Sequence, residues 1–311
     1  MMVGTSSLPP AFEGGRLRWN SERRDELLSS LGGLRPYAST GFSSLDRLLG
    51  GGLCPGLHVL SALPGSGKST FALMIGDHIA RFGTGSTLVA TLEMSAASLV
   101  CKSIVRLSAE QGGVPLTFPE VARLVRRPDA VGSPRFEILT AAADAYFEQI
   151  APSVAMIDDA VTVDALARIY DAFPAAERKP CLIVDYVQLL RRPDGDTAAT
   201  DYAALTATVT DLCAIAQRHS VPILCISSQN RGAKRGGASL DLLSGSSALE
   251  YASSTASFLT VDGEDDSERQ RNAEVEPRPV CLHVLKNRFG PCGRIPMWFF
   301  AAEARFTERE G

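Results

Sequence analysis

From Thr40 onward, short apolar runs alternate with stretches of helical periodicity, and this alternation leaves the chain few architectures to adopt. The runs are LHVLSA (57–62), STLVATL (86–92), SVAMID (153–158), CLIVD (181–185), PILCISS (222–228) and ASFLTVD (256–262). Helical stretches at 68–82, 95–108, 162–173 and 202–219 follow most of them. A strand that is apolar along its length needs cover on both faces, and a helix between successive strands makes them parallel. The expectation is an α/β fold with a mostly parallel central sheet flanked by helices. After residue 270 the helices stop. VCLHVLKN and RIPMWFF then lie around a Gly-Pro-Cys-Gly turn, which predicts a C-terminal antiparallel hairpin. DGEDDSERQRNAEVEPR (262–278) reads as a charged surface loop.

Residues 1–15 offer little to bury and are expected to be disordered. NSERRDELLSSLGG then supplies Leu27, Leu28 and Leu31 between a capping Asn20 or Ser21 and Gly-Gly, the pattern of one short amphipathic helix. The expected organisation is an extension over 1–36 and one domain over 37–311. Hydrophobic residues make up 45% and charged residues 21% of the chain, and mean hydropathy is near zero. No apolar run approaches the ~18 residues of a membrane span, and the N-terminus has no signal pattern. No membrane partner is expected. The seven cysteines form no CxxC pair, which predicts free thiols in a reducing, cytoplasmic setting. With a net charge of −4, any nucleic-acid contact must come from a local patch.

SALPGSGKST (61–70) leaves an apolar strand and enters a helix. Gly65 and Gly67 let backbone N–H groups curl around phosphate oxygens, and Lys68 brings a mobile positive charge to the outer phosphates. The candidate nucleotide-binding residues are Pro64, Gly65, Ser66, Gly67, Lys68, Ser69 and Thr70. The strict pattern has Gly where this chain has Ala62; alanine suits the position while φ stays negative, with Pro64 and Gly65 making the bend. Ser69 offers a hydroxyl to Mg²⁺. Asp185 ends CLIVD, where ligands of open α/β sheets bind, and fits the second metal-holding position. Glu93 ends STLVATLE in the same way and is the candidate to polarise the attacking water, with capping of the next helix as its alternative. Asp158 and Asp159 also end a strand, but DDAVTVDALARIY reads as the cap of a helix.

These motifs, in this order, resemble the RecA-like motor domain of the bacterial replicative helicase DnaB and its relatives. STGFSSLDRLLGGGL (39–53) is similar to that family's entry segment, and ALPGSGKST to its Walker A motif. TLEMS carries the catalytic glutamate at Glu93, and IVDYVQLLRRP is similar to the Walker B strand and its continuation. MIDDAVTVDAL, SGSSALEYASS (244–254) and KNRFGP are similar to further family segments. The similarity runs from about residue 37 to 307. It implies a RecA-like P-loop NTPase that binds ATP and Mg²⁺. The family's primase-binding N-terminal domain is not matched, and the helix within the first 36 residues imitates its linker helix.

Further expectations follow from the resemblance. The γ-phosphate sensor falls on Ser228 or Gln229 of ISSQNR. The central DNA-gripping loops fall on RRPDGDTAAT, with Arg191 and Arg192, and on NRGAKRGGAS, with Arg231, Lys234 and Arg235. Their cations would track phosphates without reading bases. Lys286 and Arg288 lie two positions apart, with no acidic residue from Leu282 to Phe300, and in an extended strand they share a face. In the family such a pair reaches the γ-phosphate of a neighbouring subunit's ATP. The implied protein is an ATP-hydrolysing, ring-forming helicase or translocase on single-stranded DNA. It is expected to be a homo-oligomer, a hexameric ring, serving replication or mobile-element partners. The alternatives are a RadA-like recombination ATPase and a KaiC-like regulatory ATPase.

Overall fold

The computed structural model describes residues 12–13, 16–17, 19–32, 37–83, 85–127, 130–174, 177–190, 201–228 and 247–309. The chain divides into two compact units, residues 1–35 and 36–311. In the first, strand β1 (Phe12–Glu13) pairs antiparallel with β2 (Arg16–Leu17). Phe12 and Glu13 thus have ordered pairing in a stretch expected to be disordered. A backbone ladder satisfies its own polar groups without needing a core. A 3₁₀ turn over Asn20–Arg23 leads into helix α1 (Arg24–Gly32), the helix expected there.

The second unit starts with α2 (Ser43–Leu48) and β3 (Gly56–Ala62), then α3 (Lys68–Phe82) and β4 (Thr87–Thr91). Next come α4 (Ala96–Glu110), α5 (Phe118–Val125), α6 (Pro134–Gln149) and β5 (Val154–Ile157). α7 (Val163–Ala172), β6 (Cys181–Asp185), α8 (Asp201–His219) and β7 (Pro222–Ser228) follow. The chain closes with α9 (Ser247–Ala252), β8 (Thr255–Val261), α10 (Asp266–Ala273), β9 (Arg278–Asn287), β10 (Gly293–Phe300) and β11 (Arg305–Glu308).

One nine-stranded sheet results, in the order β11-β10-β9-β8-β3-β7-β6-β4-β5. β8, β3, β7, β6, β4 and β5 run parallel, and β9, β10 and β11 add on antiparallel beyond β8. Successive side chains of a strand point to opposite faces. On β3, Leu60 and Ala62 join a core with Phe71, Ile75 and Ile79 of α3, while Leu57 and Val59 join a second with Leu212 and Ile215 of α8. That division is what the unbroken apolar strands demanded.

Three further details depart from the sequence reading. The stretch expected to be a loop at 262–278 contains α10, capped by Asp265 Oδ1, which accepts from Glu268 N at 2.7 Å. α10 buries no residue, so no apolar period announced it, and its cap is the local signal that was overlooked. The C-terminal hairpin gains a third strand, β11, paired with β10. Between α4 and β5, α5 and α6 enclose a third core around Leu116, Val121, Leu139 and Tyr146, an insertion beyond simple alternation. The seven cysteines are free thiols, as expected. Among the described residues no helix is long and apolar enough to cross a membrane.

Candidate active site

The site forms where β3, β6 and β4 end, because parallel strands bring their C-terminal tips to one edge. At the tip of β3 the chain turns through Gly65 (φ +78°) and Gly67 (φ +88°) into α3. Ala62 stays in the strand, paired with Ser228 and Leu259, and is not among the residues of positive φ. Gly67 needs its missing Cβ for a second reason. A methyl there would lie 2.7 Å from Phe306 Cζ and 2.8 Å from Phe299 Cζ. These two rings stack on each other at 4.3 Å, so the C-terminal strands brace the loop from beneath. Gly67→Ala is therefore expected to cost about 1–3 kcal/mol, from positive φ plus overpacking. A thermal melt would register it, and an unchanged midpoint would contradict this packing.

Lys68 Nζ donates to the carbonyls of Ala62 (2.9 Å) and Leu63 (3.2 Å), which curls the side chain back over the loop. Burial lowers its pKa from the ordinary lysine value, opposed by the charges of Asp185 and Glu93. Asp185 is buried at the tip of β6, opposite Thr91 of β4. Burial raises its pKa; the hydrogen bond from the Ser69 side chain opposes the rise, Glu93 adds to it, and Lys102 and Lys68 oppose it. Ser69 and Asp185 thus pair two hard oxygen ligands, a donor set that fits Mg²⁺, which binds few protein oxygens and completes its shell with water and phosphate.

Glu93 is exposed just past β4, in a bend where the Thr91 hydroxyl donates to the Met94 carbonyl at 2.6 Å. It is not the cap of the next helix. Ser95 holds that place, its hydroxyl accepting from Ser98 N at 3.2 Å. Asp158 meets the same helix start: its Oδ2 accepts from Ala96 N at 2.8 Å. This corrects the reading of DDAVTVDALARIY, for the helix after Asp158 is capped by Thr162, and Asp158 serves α4 instead. β5 lies beside β4, so its terminal carboxylate reaches the helix that β4 feeds.

The sequence missed Lys102. It lies on α4, donates to Thr70 Oγ1 at 3.3 Å, and interacts with the charges of Asp185 and Glu93. Its sequence signal is weak: a cation nine residues after Glu93, in a helix that also carries Arg106 and Glu110.

Lys286 and Arg288 are brought together as their spacing required. Lys286 Nζ (3.1 Å) and Arg288 Nη2 (2.8 Å) both donate to the Tyr251 carbonyl at the end of α9. The register then fixes where they lie. Ala62, next to the nucleotide loop, is level with Leu259 of β8 and hence with Leu282 of β9. Lys286 is level with Ala256, at the start of β8, which pairs with Val59 of β3. Along antiparallel β9 the two cations therefore lie toward the sheet edge opposite the nucleotide loop. Arg191, Arg192, Gln229, Arg231, Lys234 and Arg235 lie outside the described residues; Ser228 is the last residue of β7.

Residues 38–308 match the family model of the DnaB-like helicase C terminal domain. The replicative DNA helicase DnaC of Bacillus subtilis is 24% identical over 276 residues, covering 87% of this chain and 56% of that protein. The replicative DNA helicase DnaB of Haemophilus influenzae is 26% identical over 285 residues, covering 86% of this chain and 54% of that protein. The chain thus spans about half the length of the curated relatives it matches. A solved structure of a DnaB-like replicative helicase superposes with a TM-score of 0.73 at 19% identity, covering 94% of this chain and 68% of that one. The shared fold is that of the RecA-like ATPase domains.

Proposed function

Because the chain belongs to the family of DnaB-like helicase C-terminal domains, we propose that it is an ATP-driven motor on single-stranded DNA, working as a ring of identical subunits. One observation carries this reading. The loop, Lys68, Ser69 and Asp185 converge at one sheet edge with Glu93 beside them, whereas Lys286 and Arg288 lie toward the opposite edge. A finger that cannot serve its own loop fits a site completed by a second copy of the chain.

In this mechanism Lys68 exchanges its two carbonyl partners for the outer phosphate oxygens of ATP, a stronger charge-assisted contact. Thr70 and the first turn of α3 help to seat the phosphates, and Ser69 and Asp185 hold Mg²⁺. Bound there, Mg²⁺ neutralises charge on the outer phosphates. Glu93 takes the proton of the attacking water. Gln229 or Ser228, at the end of β7, senses the γ-phosphate. Lys286 and Arg288 of one subunit stabilise the charge that develops at the neighbour's γ-phosphate. The extension over 1–36, with α1, is a linker-like segment ahead of the motor domain. Replicative or mobile-element proteins are the partners such a motor would serve.

Arg231, Lys234 and Arg235, with Arg191 and Arg192, follow two neighbouring strands of the same edge and supply the DNA grip. The test is ATP hydrolysis with and without a short single strand. Stimulation is expected, and it should vanish when Arg231, Lys234 and Arg235 are changed to alanine together. DNA binding should weaken steeply with salt, with a slope that falls as those cations are removed. Absence of both stimulation and salt-sensitive binding would sink the motor reading.

A further inference from the structure

The peptide groups of the nucleotide loop have an inside and an outside. Ser66 N–H (3.3 Å) and Lys68 Nζ (3.2 Å) both donate to the Leu63 carbonyl, so both lie on the concave side. The Gly65 carbonyl belongs to the same trans peptide group as the Ser66 N–H, and the two point in opposite directions. It therefore faces outward. There Arg278 Nη1 donates to it at 3.1 Å.

Arg278 opens β9, and its guanidinium lies 5.7 Å from the centre of the Phe299 ring, one of the two rings beneath Gly67. Its Nε is buried and has no hydrogen-bond partner among the described residues. A buried donor without a partner opposes folding. Stability alone thus does not account for this placement, and residues that cost stability concentrate at working sites.

We propose that Arg278 is a positioning residue of the nucleotide loop: it holds the Gly65 carbonyl outward and so keeps the Ser66 N–H turned into the cradle, where a phosphate oxygen would accept from it. The inference rests on the reading of this loop as an ATP site. Arg278 acts on the loop and touches no phosphate, so ATP and ADP depend on it alike. Phe299 lies beneath both the guanidinium and Gly67, so the C-terminal strands reach the loop through side chain and ring alike.

Calorimetric titration of ATP and of ADP into the full chain tests this, with Arg278→Ala, Arg278→Lys and Lys68→Ala alongside the unaltered protein. Arg278→Ala is expected to weaken both nucleotides roughly tenfold, the scale of one charge-assisted hydrogen bond. KM for ATP should rise by the same factor while kcat at saturation stays unchanged. Arg278→Lys should recover part of the loss, since an ammonium can still donate to the carbonyl. Binding that Lys68→Ala removes and Arg278→Ala leaves intact would overturn the inference while sparing the ATP site. A loss confined to ATP would overturn it too, as the mark of direct contact with the outer phosphate. So would a lowered thermal midpoint with unchanged affinities. If the unaltered protein bound neither nucleotide, the ATP reading itself would fail and take the inference with it.

Discussion

Replacing Arg288 by alanine is expected to leave ATP binding within a few-fold of its original value and to remove most turnover. Arg288 follows β9 toward the sheet edge opposite its own loop, its N–H donating to the Ser254 carbonyl, so truncating it should leave that loop untouched. Its Nη2 and Lys286 Nζ both donate to the Tyr251 carbonyl, at the C-terminal end of α9. Helix C-termini favour positive charge, and this contact holds the pair in one orientation. An arginine supplied to a γ-phosphate in the transition state is worth on the order of 10³–10⁵ in kcat. The loss should therefore appear in kcat and not in affinity. Mixing provides the decisive control. Arg288→Ala subunits keep an intact loop, and Lys68→Ala subunits keep an intact finger. A mixed assembly contains interfaces where each supplies what the other lacks, so mixing two inactive proteins should restore part of the activity. No restoration, together with full-rate hydrolysis by a monomer, would return the two cations to a structural role at the end of β9.

Changing Glu93 to glutamine should have an effect of similar size by a different route. The amide keeps the shape of the carboxylate but cannot take a proton from water. Turnover should fall by about 10²–10⁴, the range of general-base contributions. Binding of ATP should persist, because Lys68 and the loop amides are untouched. Ser95 and Asp158 already satisfy the start of α4, so the substitution removes no helix cap and should leave the thermal midpoint nearly unchanged. That combination separates chemistry from folding. Turnover within threefold of the original would exclude Glu93 as the base. Asp185→Asn offers the contrast: it removes a proposed metal ligand, so its defect should shrink as Mg²⁺ is raised, whereas the Glu93→Gln defect should not.

How much of this was legible depends on the range of the interaction. The bounds of α3, β6 and β7 are those read from the sequence, because apolar runs and glycine breaks are local signals. The glycine loop after β3 and the position of Asp185 at the tip of β6 were legible in the same way. α10 was missed because a helix with no buried face has no period to detect, and its Asp265 cap was the one clue.

The sequence by itself determined a parallel α/β sheet with a phosphate loop at the tip of its first long strand, since period, composition and turn chemistry act over a few residues. Their spacing also put Lys286 and Arg288 on one side of the chain, where both donate to the Tyr251 carbonyl. Only the tertiary structure decided what those elements meet. Strand order put β5 beside β4, which sends Asp158 to cap α4 and not the helix that follows it. Packing of α4 brought Lys102 to Thr70. Antiparallel addition of β9 put Arg278 against the Gly65 carbonyl and carried Lys286 and Arg288 toward the other edge. The physical reason is common to all three. Contacts between residues tens to hundreds of positions apart depend on strand order and register, and those are set by the cooperative packing of the whole sheet, not by any one segment.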